Sequence, residues 1–289
     1  MLQLKPFPLL LKYPPYTNIH KVVVACHILH SMSLHTTTQR SFEELVAESE
    51  SVSVAGWDFS WLEGRATEQR PSWGYSREMG ERMAKAKAAL DIQTGGGEVL
   101  ASVPKLPPLT VATESWPPNI EKATQLLHPL GVAVIADEDA PPLPFGNNAF
   151  DLVVSRHPVT TWWEEIARVL RPGGTYFSQH VGPASVFELV EYFLGPQPEA
   201  RLSRDPKDAK VAAEAAGLEV IDLRLESLRT EFHDIGAVIY FLRKVIWMVP
   251  GFTVDKYRDK LRALHEQIQT EGPFVAQTTR FLIEARKPL

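Results

Sequence analysis

The chain has 289 residues, 44% hydrophobic and 22% charged, which is enough for one large α/β domain or for a smaller core with an appended segment. Its 17 glycines and 23 prolines exclude collagen-like and low-complexity classes, and no apolar run is long enough to span a bilayer. The single cysteine, Cys26, excludes an internal disulfide and favours a cytoplasmic location over secretion. A net charge of −5 argues against a nucleic-acid partner.

The first forty residues differ in composition from the rest. They contain four basic and no acidic residues, which leaves 26 basic against 35 acidic residues, a formal charge of −9, for residues 41–289. The composition predicts an N-terminal extension over residues 1–40. A disordered segment, a packed arm and a transit peptide all remain open for it. Residues 41–289 are predicted to form one folded domain.

Aromatic residues are concentrated shortly after this extension. Ser41 and Glu44 have capping-box spacing and predict a helix to about Ser49. Three of the seven tryptophans then fall within seventeen positions: Trp57, Trp61 and Trp73. This aromatic arm, near residues 55–75, either packs against the helix predicted at 77–89 or covers a small-molecule pocket.

From residue 88 onward, short apolar runs alternate with helical patterns, which is typical of βαβ units and a parallel sheet. Ligands of such sheets bind beyond the carboxyl ends of the strands. The predicted strands are 89–92, 110–113, 132–136, 152–155, 175–180, 219–224 and 278–285. The predicted helices between them are a short one after Gly97, then 118–127, 162–170, 184–194 and 207–216.

The first two strand ends have the chemistry of a nucleotide-like site. Three glycines in succession, Gly95 to Gly97, end the first strand and let a ligand approach the backbone. Asp91 stands four residues before them, where it would repel a pyrophosphate but suits a cationic amino-acid group. Glu114, twenty-three residues later, can accept hydrogen bonds from both hydroxyls of a ribose. The G-x-G-x-x-G pattern of NAD-dependent oxidoreductases does not occur here, which argues against that class.

Four segments in order resemble the class I S-adenosylmethionine-dependent methyltransferases, in particular the small-molecule group typified by ubiquinone biosynthesis (methyltransferase type 11). Residues 91–98 look like the first motif and Glu114 like the ribose-binding acid. Residues 139–153 are similar to the adenine loop and fourth strand, and residues 168–174 to the helix-turn-strand segment before strand five. The resemblance implies a Rossmann-like, seven-stranded, mostly parallel sheet with helices on both faces and an antiparallel C-terminal edge.

The resemblance also implies a cofactor, S-adenosyl-L-methionine, and the residues that bind it. These are Asp91, Gln93, Gly95, Gly97, Glu114, Asp139, Ala140 and Ser155. Gly95 and Gly97 would line the methionine part, and Asp139 would bind the adenine amino group, with Ala140 beside it. Gln93 departs from the glycine that the family usually has at that position. Its side chain could donate to the cofactor carboxylate or narrow the pocket.

Methyl transfer needs in-line alignment of the acceptor and, for a hydroxyl, a base. The fourth strand ends at Ser155, where methyl group and acceptor are expected to meet. His157 is the candidate catalytic base, because a histidine pKa lies near working pH. The alternative is that His157 only caps the turn. No cluster of side chains has metal-ligand spacing, so no metal is predicted.

A second aromatic segment, near residues 231–252, interrupts the C-terminal part and either covers the sheet or roofs an apolar acceptor pocket with the arm. The predicted acceptor-binding residues are Trp61, Tyr75, His157 and Tyr240. The sequence thus predicts an enzyme that methylates a small, apolar or aromatic metabolite, with oxygen favoured as acceptor atom, acting as a monomer or homodimer without a membrane span. The alternative is a cofactor-binding protein of the same fold without transferase activity, either regulatory or catalysing a non-transfer reaction.

Overall fold

A computed structural model describes residues 40–56 and 58–289. The predicted extension, apart from Arg40, and Trp57 lie outside the described residues.

One mixed sheet runs through the centre of the domain. Its strands are β1 (Ala66–Glu68), β2 (Ala88–Asp91), β3 (Leu109–Glu114), β4 (Ala133–Ala136), β5 (Phe150–Arg156), β6 (Leu170–Val181), β7 (Glu219–Phe232) and β8 (Phe274–Arg286). Their spatial order is β1-β7-β8-β6-β5-β2-β3-β4. All pairs formed within β2 to β6 are parallel. Strand β8 pairs antiparallel with both β6 and β7. The predicted α/β class and the antiparallel C-terminal strands are confirmed.

The strand count of seven is wrong, because the described chain forms an eight-stranded sheet. The additional strand, β1, is only three residues long and half-exposed to exposed, so it has no apolar alternation to mark it. It pairs antiparallel with the last residues of β7, Thr230 to Phe232. Strand β7 continues to Phe232, eight residues past the predicted end at Arg224, and offers β1 an edge to pair with.

Nine α-helices of the described chain surround the sheet: α1 (Phe42–Ser51), α2 (Tyr75–Met83), α3 (Glu98–Ala101), α4 (Pro117–Leu127), α5 (Trp163–Val169), α6 (Phe187–Leu194), α7 (Pro206–Ala215), α8 (Ile235–Lys244) and α9 (Val254–Glu271). Successive residues of β2 point to opposite faces: Leu90 packs with α5 and α7, and Ala89 with α2, α3 and α4. A third cluster joins α1, α6, α8 and α9. The helices therefore cover both faces of the sheet.

Helix α1 begins at the predicted capping box. The Ser41 backbone N–H donates to Glu44 Oε2 at 2.8 Å, and the Glu44 N–H donates to Ser41 Oγ at 3.4 Å. The apolar face of α1 packs in the cluster that contains α8. Most of α8, which lies within the aromatic segment predicted near 231–252, is buried in this cluster and is part of the core.

The order of the parallel strands reverses at β2. Strand β3 lies on one side of β2 and β5 on the other, so the loops after β2 and β5 lead to opposite faces of the sheet. Such a switch point leaves a crevice at the carboxyl ends of the strands. In the described part of the chain, no helix is both long and apolar enough to cross a membrane.

Candidate functional site

Three acidic side chains stand at consecutive strand ends beside the switch point. Asp91 ends β2, Glu114 ends β3, and Asp139 lies in the loop after β4. Asp91 and Glu114 are buried, with 6% and 8% of their surface exposed. We call these three residues the acidic cluster. The resemblance had assigned all three to the cofactor, and the fold brings them to one edge of the sheet.

The Glu114 carboxylate is held by backbone N–H groups. Gly95 donates to Oε2 at 2.7 Å, and Ser115 and Trp116 both donate to Oε1 at 3.0 Å. The first of these bonds ties the glycine turn after β2 to the end of β3. The carboxylate therefore fixes the distance between two walls of the crevice.

Burial and mutual repulsion make the cluster strongly attractive to a cation. Burial, with the charge of Glu114 adding to it, raises the pKa of Asp91 to about 7, although the Thr94 hydroxyl donates to Asp91 Oδ2 at 2.7 Å and opposes the rise. Burial also raises the pKa of Asp139, and the charges of Asp137 and Glu114 act in the same direction. A cationic ligand would relieve both effects.

Gly95 and Gly97 are required in the glycine turn for two different structural reasons. Gly95 has φ +65°, and a Cβ added there would meet no atom within 4 Å, so its backbone borders open space. Gly97 has φ +83°, and its Cβ would approach the Leu127 side chain to 2.9 Å. Gly95 thus suits the approach of a ligand, whereas Gly97 is needed for packing against α4.

Gln93 connects three loops at the carboxyl edge. Its Nε2 donates to Asp139 Oδ1 at 2.8 Å and to the Thr160 carbonyl at 2.9 Å, and its Oε1 accepts from the Val159 N–H at 2.6 Å. The residue has φ +57°, a conformation that favours glycine. We call this arrangement the Gln93 bridge. The Asp139 Oδ1 atom that accepts from Gln93 also accepts from the Trp162 indole N–H, at 3.4 Å.

His157 follows β5, and its ring is held by Gln179, which is itself held by Trp73. The Trp73 indole N–H donates to Gln179 Oε1 at 2.8 Å, so Gln179 Nε2 faces His157 Nε2 at 2.9 Å as the donor. His157 Nε2 therefore accepts, and the ring proton is on Nδ1. Burial, with the nearby charges of Arg156 and Arg280, holds the pKa of His157 well below its usual range, which keeps the ring neutral.

The first part of the aromatic arm lies between Trp116 and α8. Near its start, a Cβ on Gly56 would lie 3.6 Å from the ring of Trp116, two residues after Glu114. The Tyr240 hydroxyl donates to the Asp58 carbonyl at 3.0 Å, and the Trp61 and Tyr240 rings lie 4.8 Å apart. The structure thus brings two predicted acceptor residues, Trp61 and Tyr240, together between the arm and α8.

The other end of the arm is built into the core. Tyr75 stacks on Phe177 at 5.3 Å, and its hydroxyl donates to the Ser155 carbonyl at 2.8 Å. Burial raises the pKa of Tyr75 well above its usual range, so its hydroxyl stays protonated. Tyr75, predicted to bind the acceptor, is thus a buried residue whose hydroxyl is bonded to the end of β5.

The structure places the two remaining predicted cofactor residues differently. Ser155 Oγ bonds the Tyr176 hydroxyl at 2.7 Å and Ser178 Oγ at 2.8 Å, inside the sheet. Ala140 is exposed beside Asp139. Among the described residues, no group of three His, Cys, Asp or Glu side chains is arranged to hold a metal ion.

Several residues of the site carry no role in the sequence patterns. Trp73 donates to Gln179 across 106 positions of chain, and Gln179 in turn holds His157; no local spacing reveals these contacts. Trp162 and Thr94 complete the hydrogen bonds of the acidic cluster. Thr94 could have been found, because it directly follows the Asp91 strand end within the glycine motif.

Comparison with known families bears on the part of the chain that contains the acidic cluster. Residues 90–178 match the family model described as a methyltransferase domain. This range runs from the end of β2 to β6 and includes Gln93 and His157. No curated protein matches the chain.

Solved structures share the fold over most of the chain. A candidate methyltransferase from Bacillus halodurans C-125 covers 73% of this chain and 98% of its own, with 20% identity and a TM-score of 0.53. The YcgJ protein from Bacillus subtilis covers 74% and 98%, with 17% identity and a TM-score of 0.50. A functionally unknown protein from Deinococcus radiodurans R1 covers 77% and 90%, with 14% identity and a TM-score of 0.53. At these identities the likeness concerns the fold.

The raised pKa of Asp91 predicts a pH-dependent effect of Asp91→Asn on stability. The folded chain binds the Asp91 proton more tightly than the unfolded chain, so this group destabilises the fold progressively as pH rises from about 4 to about 7. Asparagine stays neutral and can still accept from Thr94. Between pH 4 and pH 8, urea unfolding should therefore show the free energy of unfolding of Asp91→Asn rising relative to that of the native chain, by about 4 kcal/mol at most. A difference that stays constant over this range would show that Asp91 is ionised in the fold at low pH.

Proposed function

We propose that this chain, a class I S-adenosylmethionine-dependent methyltransferase, transfers the methyl group to a hydroxyl of a small apolar or aromatic molecule. The observation that carries the proposal is the aromatic arm, which lies against Trp116 near the end of β3 and against Tyr240 of α8. The arm and α8 lie outside the matched range 90–178, whereas Trp116 lies within it.

The residues at the strand ends fit the cofactor. S-adenosylmethionine carries an ammonium and a sulfonium, and the buried carboxylates of the acidic cluster repel one another in the absence of a cation. Gly95 borders open space, as a backbone that approaches a ligand must. We assign the ribose hydroxyls to Glu114 and the adenine amino group to Asp139.

The bound cofactor supplies an electrophilic methyl group, so the protein has to orient the acceptor and receive a proton. Trp61 and Tyr240 would contact the acceptor, and Tyr75 would support the end of β5 beneath it. The arm would exclude water from the crevice. His157 is our candidate for the proton, which its Nε2 can accept once Gln179 has turned away. Because burial holds its pKa well below the usual range, the expectation of a pKa near working pH is not met, and His157 would act as a weak base.

We infer a cytoplasmic enzyme of small-molecule metabolism. The support is compositional: one cysteine in 289 residues suits a reducing compartment, and the net charge of −5 disfavours nucleic acid as acceptor. A monomer and a homodimer are both compatible with this proposal.

The ribose assignment predicts that Glu114→Gln weakens binding of S-adenosylhomocysteine. The three backbone N–H groups already occupy most of the acceptor positions of the Glu114 carboxylate, and Glu114→Gln replaces one acceptor oxygen with a donor. A loss of about 1–3 kcal/mol is therefore expected, roughly five- to 150-fold in Kd. Titration calorimetry measures it. Glu98→Gln is the matched control, because Glu98 is exposed, lies next to the glycine turn and pairs with Lys122. Equal loss in both variants, or none in either, would remove Glu114 from the ribose site.

The Gln93 bridge predicts that a smaller residue improves binding. The Gln93 amide competes with the adenine amino group for Asp139, so Gln93→Gly should bind S-adenosylhomocysteine about fivefold more tightly, equivalent to one hydrogen bond of about 1 kcal/mol. Titration calorimetry measures the change in affinity. Gln93→Ala separates the loss of the amide from relief of the positive φ. Weaker binding by both variants would instead assign Gln93 to holding the cofactor carboxylate.

A methyl-transfer assay tests the acceptor atom and His157 together. With isotopically labelled methyl and a panel of matched phenols and anilines, the native chain is expected to label the phenols. His157→Gln keeps an acceptor for Gln179 Nε2 but cannot take the proton, so kcat should fall by about a hundredfold or more. Affinity for S-adenosylhomocysteine should stay within about threefold. An unchanged kcat would leave His157 a capping residue, and labelled anilines alone would exclude the hydroxyl acceptor.

A further inference from the structure

One lysine lies buried beneath the aromatic arm without a hydrogen-bond partner. Lys244 is the last residue of α8, with 7% of its surface exposed. Its Nζ has no hydrogen-bond partner among the described residues. Because burial of an unpaired ammonium costs free energy, a side chain kept in this state calls for a functional explanation.

The ammonium is surrounded by aromatic rings of the arm and of α8. Lys244 Nζ lies 5.0 Å from the centre of the Phe59 ring and 5.5 Å from that of Tyr240. Tyr240 in turn lies 4.8 Å from Trp61. The lysine thus belongs to the same group of residues that the proposed function assigns to the acceptor.

The neighbouring charged residues do not pair with the Lys244 ammonium. Asp58 attracts it, but the Asp58 carboxylate accepts from the Ser60 N–H at 2.8 Å and forms no ion pair with Lys244. The adjacent Arg243 has a different position, because its guanidinium donates to the Ser49 and Val52 carbonyls at the end of α1. Burial lowers the pKa of Lys244, which indicates how little compensates its charge.

The position relative to the cofactor side follows from Asp58. Two residues before Asp58, a Cβ on Gly56 would lie 3.6 Å from the Trp116 ring, and Trp116 donates to Glu114 of the acidic cluster. The Asp58 carbonyl accepts from the Tyr240 hydroxyl, one helical turn before Lys244, so this part of the arm connects the end of β3 with the lysine. An anionic group that enters beneath the arm would meet one unpaired cation there.

We propose that Lys244 binds an anionic group of the acceptor, which is therefore an aromatic or apolar molecule that carries a carboxylate or a phosphate. This inference rests on the proposed function and narrows its substrate class. The rings of Phe59 and Tyr240 hold the ammonium from one side and leave its charge for the ligand. The anion supplies the hydrogen-bond acceptors that Lys244 lacks.

The test uses the full chain saturated with S-adenosylhomocysteine and three probes of similar shape: benzoate, phenyl phosphate and the neutral benzamide. Ligand-observed NMR titrations give the affinities. Native protein is expected to bind at least one of the anions tenfold or more tightly than benzamide. Which anion binds more tightly distinguishes a carboxylate from a phosphate acceptor.

Lys244→Met should abolish this preference and leave benzamide and S-adenosylhomocysteine binding unchanged. The variant removes a buried, unpaired charge, so its melting temperature should equal or exceed that of the native chain. Lys244→Arg keeps the charge and should retain the preference. Lys210→Met is the matched control, because Lys210 is an exposed lysine that pairs with Glu214 on α7.

Two results would overturn the inference. Benzamide and the anions could bind the native chain equally, or the anions could bind native protein and Lys244→Met equally. Failure of the proposed function looks different, because S-adenosylhomocysteine itself would then not bind in the same samples. In that event the three probes are titrated into the chain without S-adenosylhomocysteine. The role of Lys244 is then tested by the same two comparisons: the anions against benzamide, and native protein against Lys244→Met.

Discussion

Three backbone N–H groups converge on the carboxylate of Glu114, and the rest of the site depends on that convergence. The Gly95 N–H comes from the turn after β2, and the other two come from the start of α4. A carboxylate in this position satisfies donors that the chain could not otherwise pair inside a crevice. The glycine turn, the end of β3 and the start of α4 are therefore positioned by a single side chain, and Asp91 lies close enough to feel its charge.

This arrangement explains why the sequence predicts where the acids and glycines of the strand ends lie in the fold. Acids and glycines at strand ends depend on local order along the chain, and the carboxyl ends of parallel strands necessarily meet at one edge. All seven predicted strands are present, and Asp91, Glu114 and Asp139 lie at that edge. The matched methyltransferase range, residues 90–178, covers these strand ends.

Other parts of the fold and the site depend on contacts that no spacing along the chain encodes. Trp73 reaches Gln179 only because the arm folds back across β6, and β1 exists only because β7 is long enough to pair with it. Helix α9 was not predicted, since its buried positions are sparse among many charged residues and its stability comes from packing with α1 and α8. Lys244 had one local signal, its spacing of four residues from Tyr240 on a helix, which places both on one face.

The aromatic arm is held differently on the two sides of β1. Trp73 and Tyr75 are core residues, packed with α2, β5 and β6, whereas residues 55–62 are half-exposed or exposed where described and lie against Trp116 and Tyr240. The free energy needed to lift the first part is therefore far smaller than that needed to unfold the second. A local opening confined to residues 55–62 leaves β1 paired with β7 and the rest of the arm in place. Substitutions in residues 55–62 are therefore expected to change this opening more than the stability of the domain.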